Sequence, residues 1–78
     1  MYLSDKKSIV ADGVGDLYRC ADKLGKGYIN RGVWYYEQAK TKLGERLELE
    51  FDKNITDKNR LYWAEMALDE FNRLKRQF

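Results

Sequence analysis

Histidine and proline are both missing from this 78-residue chain, and cysteine occurs once, at Cys20. A single thiol cannot close an intramolecular disulfide. Without histidine it cannot anchor a structural zinc site either, since zinc wants four Cys or His ligands at set spacings, so no metal is expected. The lack of histidine also removes the side chain that most often moves protons near neutral pH. Long apolar runs are absent as well. The longest, such as Val33-Trp34-Tyr35-Tyr36, extend over a few residues where a bilayer span takes roughly 20. Asp5, Lys6, Lys7, Asp12 and Asp16 break up the N-terminal region. A secretory leader is therefore not expected, and the chain reads as cytoplasmic with no membrane association.

Hydrophobic residues make up 44% of the chain and charged ones 36%, enough apolar content to fold. The length allows one domain, residues 1–78. A domain this small buries only about 60% of the surface its unfolded chain exposes, so self-association, as a homodimer or a larger closed assembly, is expected to complete the core. The net charge of +2 neither demands nor forbids a polyanionic partner.

With no proline to interrupt them, helices can run long, and the apolar spacing predicts three, over roughly 4–24, 29–53 and 56–77. The fold class is all-α, a small three-helix antiparallel bundle. Ser4 is the expected first N-cap, Val10, Val14, Leu17, Ala21 and Leu24 form one stripe, and Gly25 is the expected left-handed cap. The second stripe is Ile29, Val33, Tyr36, Ala39 or Lys40, Leu43, Leu47 and Phe51. Leu47, Leu49 and Phe51 also alternate with Glu48 and Glu50 like a strand. Helix is preferred there, because a lone strand would leave its backbone groups without partners. Asn54, Thr56 and Asp57 offer caps for the third helix. Its stripe is Leu61, Ala64, Leu68, Phe71 and Phe78, broadened by Trp63, Ala67 and Leu74, with Asp69 and Arg73 as an i,i+4 ion pair.

Little in the chain points to catalysis, and no enzymatic activity or cofactor is expected. Cys20 reads as a buried structural residue, and carboxylate pairs such as Asp12/Asp16 and Glu48/Asp52 are common on solvated helix faces. Gly13-Val14-Gly15 lacks the third glycine and the preceding strand of a dinucleotide fingerprint. Two glycines in one helical turn imply either a kink or the close approach of another backbone. Gly25-Lys26-Gly27 is too short for a phosphate-binding loop and reads as an inter-helix turn.

Aromatic density is the strongest departure from a generic small domain. Phe, Trp and Tyr supply 14% of the residues, concentrated in Tyr28, Trp34, Tyr35, Tyr36, Tyr62 and Trp63. Consecutive helical residues point about 100° apart, so some of these rings must face outward. Trp, Tyr and Arg dominate binding hot spots. The expected partner-binding residues are therefore Lys26, Tyr28, Arg31, Trp34, Tyr35, Tyr62 and Trp63, in a non-catalytic module that binds and modulates or inhibits a larger protein. In length and in its Tyr/Trp-rich helices the chain resembles the small accessory or inhibitor proteins of bacteriophages and mobile elements. The alternative is a small DNA- or RNA-binding protein using the basic-aromatic surface around residues 23–42, where Lys23, Lys26, Arg31, Lys40 and Lys42 surround the tyrosines. A helix-turn-helix fits only in part, because Lys26 and Arg31 fall where that motif buries apolar side chains.

Overall fold

The computed structural model describes residues 2–51 and 54–77, with side chains from residue 8 onward. Among them lie three α-helices, α1 (Tyr2–Lys26), α2 (Ile29–Leu43) and α3 (Arg60–Lys75), with a 3-10 turn at Gly44–Arg46. The long helix α1 packs against both of the others. Two points fix the direction of α3. Arg60, at its start, donates to the carbonyls of Leu24 and Gly25 at the end of α1 (2.8 and 2.9 Å), and Phe71, further along, packs on Tyr18 with ring centroids 5.4 Å apart. Helix α3 therefore runs antiparallel to α1, as does α2, whose Gly32 faces Leu24 and whose Leu43 faces Gly13, and the segment between them returns the chain along the molecule.

The α1 stripe faces inward as its spacing requires. Val14 and Leu17 join Ala39, Leu43 and Leu74 in one buried cluster, and Cys20 and Leu24 join Tyr36, Ile55 and Ala67 in a second. Helix α1 continues past Gly25 to Lys26, and the left-handed residue is Gly27, at φ 95°. Tyr28 N–H bonds to Lys23 C=O (2.8 Å) and Gly27 N–H to Leu24 C=O (3.1 Å), the paired bonds of a Schellman cap. The expected glycine was two residues early, because the i→i+3 and i→i+5 bonds that close this motif run from Leu24 and Lys23 and so carry the helix two residues past the end of the apolar stripe.

Glycine decides how closely α1 and α2 approach. A Cβ on Gly13 would stand 2.9 Å from Leu43 Cγ, and one on Gly32 would stand 2.7 Å from Leu24 Cγ and 3.3 Å from the Cys20 carbonyl. At Gly13 a neighbouring helix does approach closely, but with the Leu43 and Lys42 side chains and not with its backbone. Gly15 meets only the flexible Arg19 side chain.

Helix α2 does not reach residue 53. It ends at Leu43, where Gly44 takes φ 55°, and after the 3-10 turn the chain runs extended, with Leu47 at φ −82°, ψ 117°. Over residues 47–51 the half-buried Leu47, Leu49 and Phe51 alternate with the exposed Glu48 and Glu50. The alternation was the correct signal. The objection to it, unsatisfied backbone groups, is met by side chains instead of a second strand. Glu70 accepts from the N–H groups of Glu48 and Leu49 (2.7 and 3.3 Å), Tyr36 Oη donates to Leu49 C=O (2.8 Å), and Arg73 donates to Arg46 C=O (2.8 Å). We call this segment the strap. Phe51 stacks flat on Tyr36 (4.2 Å, 5° between planes) and lies against Trp63.

Helix α3 starts at Arg60, not near 56. The residues before it form a turn in which Asn59 Oδ1 accepts from Thr56 N–H and its amide donates to Asn54 C=O. Its inward face also differs from the expected stripe. Ala67, Glu70 and Leu74 are buried, with Trp63, Ala64 and Phe71 half-buried beside them, whereas Leu61 and Leu68 are exposed. The buried Glu70 is what misled the periodicity. Arg73 pairs with Glu70 through two contacts (Nε–Oε1 2.7 Å, Nη2–Oε2 2.8 Å), not with Asp69. Residues 52 and 53 and Phe78 lie outside the described residues.

Candidate protein-binding surfaces

The expected binding residues do not converge on one patch. Tyr28 and Arg31 sit at the α1–α2 corner, where with Ile55 and Asp57 they line a shallow polar depression. Lys23 lies over the Tyr28 ring at 5.8 Å, and Lys26 pairs with Asp22 at 3.2 Å. Trp34 stands out from α2, 51% exposed, edge-on to the half-buried Tyr35 (5.1 Å). Tyr62 and Trp63 lie on α3 beside the strap, again edge to face at 5.1 Å, with Tyr62 exposed and Trp63 half-buried against Phe51. Tyr35 and Trp63 thus serve the core as well as the surface.

The basic band is largely engaged inside the molecule. Lys42 bridges Asp16 (2.7 Å) and Asp12 (3.0 Å), and Asp16 is also held by Arg19 (2.8 Å). Asp16 is almost completely buried, so this cluster ties α2 to α1 across their interface. The ammonium of Lys42 is stabilised in its charged form by the hydrogen bonds it donates to Asp16 first and Asp12 second, and Asp12 is held below the usual carboxylate range by the same lysine. Arg31 and Lys40 make no ion pair with any described residue.

Two grooves flank α3. One, of about 350 Å³, lies between α1 and α3 and is walled by Tyr18, Ala21, Leu61, Ala64 and Leu68, with Asp22 and Glu65 at its edge. Tyr18, Leu61 and Leu68 are 54%, 56% and 40% exposed. The other, of about 430 Å³, lies between α3 and the strap and is lined by Glu48, Leu49, Glu50, Tyr62, Trp63, Met66, Asp69, Glu70 and Arg73. Sequence reasoning missed Tyr18 as a surface residue, since it immediately follows the core Leu17, and it assigned Leu61 and Leu68 to the core. The available signal was the width of the α3 apolar surface, which is too broad for one neighbour to cover.

Burial pushes the Cys20 thiol up to about 12, so at neutral pH it is a protonated, inert core residue. Among the described residues no group of three or more His, Cys, Asp or Glu side chains is placed to hold a metal ion, and no helix is long and apolar enough to cross a membrane. Fold and surface together define a small all-helical bundle with solvent-facing apolar side chains around its third helix. No family model, curated protein or solved structure matches the chain.

Proposed function

We propose that this chain is a non-catalytic protein-binding module that blocks or modulates a larger protein. The observation that carries the reading is the set of large apolar side chains left in water. Tyr18, Tyr28, Trp34, Leu61, Tyr62 and Leu68 are all at least 40% exposed in a chain of only 78 residues. Leaving such surface in water forgoes stabilisation at about 25 cal/mol per Å². Contiguous apolar patches on small proteins mark interaction sites. Self-association belongs to the same proposal. The α1–α3 face of Tyr18, Leu61, Ala64 and Leu68 is apolar along its length and would be covered by a second copy.

The nucleic-acid alternative is weakened by the pairing of Lys26 with Asp22 and of Lys42 with Asp12 and Asp16, since phosphate binding relies on cations that exchange their counterions for the backbone. Capture from lysate with the intact chain as bait, with and without nuclease, tests the choice. A protein retained after nuclease treatment and lost on Trp34→Ala or Tyr62→Ala supports the reading. Material that disappears with nuclease, and whose retention drops on Arg31→Ala, replaces it with nucleic-acid binding.

A further inference from the structure

The groove between α3 and the strap is strongly acidic. The protein as a whole is net positive, +2, yet four carboxylates and a single cation line this groove. That cation, Arg73, is already committed to Glu70 at 2.7 Å and to Glu48 at 3.3 Å. Glu50 and Asp69 are exposed and make no ion pair with any described residue. Between them the surface is apolar and aromatic, formed by Tyr62, Trp63 and Met66. Because Glu70 anchors two strap N–H groups, the alternation of residues 47–51 must send Glu48 and Glu50 outward when Leu47, Leu49 and Phe51 turn in.

We propose that this groove receives a basic segment of a partner protein, with arginine or lysine side chains against Glu48, Glu50 and Asp69 and their stems or guanidinium planes against Tyr62, Trp63 and Met66. Charge complementarity selects this occupant. Carboxylates fringing an aromatic wall favour guanidinium groups, which pair with the acids and also stack on Trp and Tyr faces. Methionine adds an adaptable contact for apolar side chains in between. Nucleic acid is repelled by the same carboxylates. The proposal rests on the protein-binding reading above and narrows it to one surface and one partner charge.

The test is a fluorescence-anisotropy titration of the full chain against a short labelled peptide alternating arginine and leucine, and against its counterpart with glutamate for arginine. The arginine peptide is expected to bind, and the glutamate peptide to bind at least about tenfold more weakly, the ratio that corresponds to ~1.4 kcal/mol. The double variant Glu50→Lys/Asp69→Lys touches neither strap anchor and is expected to lose a similar factor for the arginine peptide. A charge-matched control away from the groove, Glu37→Lys/Glu45→Lys, both positions exposed, is expected to keep the affinity nearly unchanged. In a Trp34→Phe background the remaining indole, Trp63, reports occupancy directly by a shift in its emission. No binding of the arginine peptide, equal binding of both peptides, or equal losses in the two double variants would overturn the proposal. If a protein captured from lysate needs Trp34 but is indifferent to Glu50→Lys/Asp69→Lys, the groove assignment fails while the protein-binding reading stands.

Discussion

Individual glycines in this molecule are distinguishable by what surrounds them. Gly32 sits where Leu24 and the Cys20 carbonyl leave no room for a methyl group, whereas Gly25 has nothing within 4 Å. Gly32→Ala is therefore expected to destabilise by about 1–3 kcal/mol through overpacking. Gly25→Ala, in the last turn of α1, should be neutral or stabilising by up to about 1 kcal/mol. Urea unfolding of the two variants measures the contrast, and equal effects would mean that the helices do not approach at Gly32. Cys20 gives a second residue-scale expectation. With its thiol raised to about 12 and its side chain fully buried, it should resist an aromatic disulfide reagent at pH 8 and react fully once urea unfolds the chain. Rapid labelling of the folded protein would contradict its place in the core.

Among the elements, the strap is the unusual one, an extended segment with no strand beside it among the described residues. Its polar groups lean on Glu70 and Tyr36, and Glu70 is charged because Arg73 holds its carboxyl below the ordinary glutamate value of 4.5, aided by the N–H groups of Glu48 and Leu49. A carboxylate with a lowered folded-state pKa contributes stability that is fully present above its unfolded value and is lost as pH falls through the folded one. The stability advantage of the wild type over Glu70→Gln should accordingly be constant near neutrality and shrink once the pH drops below about 4.5. Glu70→Ala should cost about 1–3 kcal/mol, because it leaves two strap N–H groups without their acceptor, while Arg73 keeps Glu48 and the Arg46 carbonyl. Tyr36→Phe removes the bond to Leu49 C=O and should cost about 1 kcal/mol. Denaturant midpoints across pH 3–8 check all three, and a pH-independent gap between wild type and Glu70→Gln would dismiss the latch.

At the scale of the whole molecule, an elongated body of 44 × 20 × 19 Å offers much surface for little core. Helix α3 contributes to both, burying Ala67, Glu70 and Leu74 while leaving Leu61, Tyr62 and Leu68 in water. If a second copy covers the α1–α3 face, sedimentation equilibrium should give a dimer at tens of micromolar, and the thermal midpoint should rise with concentration. Leu61→Asp/Leu68→Asp should then yield a folded monomer, both side chains being substantially exposed. A monomeric wild type with concentration-independent unfolding would remove self-association and leave the α1–α3 face for another protein.

What the sequence by itself determined is what depends on neighbours a few residues apart: the all-helical class, the inward stripe of α1 from Val10 to Leu24, the turn around residues 25–27, and the necessity that some of the clustered aromatics stand outside. Periodicity of this kind arises within one helix and needs no knowledge of the rest of the chain. Only the tertiary structure decided where α2 ends, which apolar flank of α3 turns in, and why Gly32 is a glycine. Each of these depends on a partner distant along the chain. Glu70 accepts the N–H of Glu48 from 22 positions away, and Leu24 fills the space above Gly32 from the opposite helix. A buried glutamate breaks the apolar pattern of its helix, and an extended segment without a strand beside it appears unsatisfied, until the two are placed together and each supplies what the other lacks.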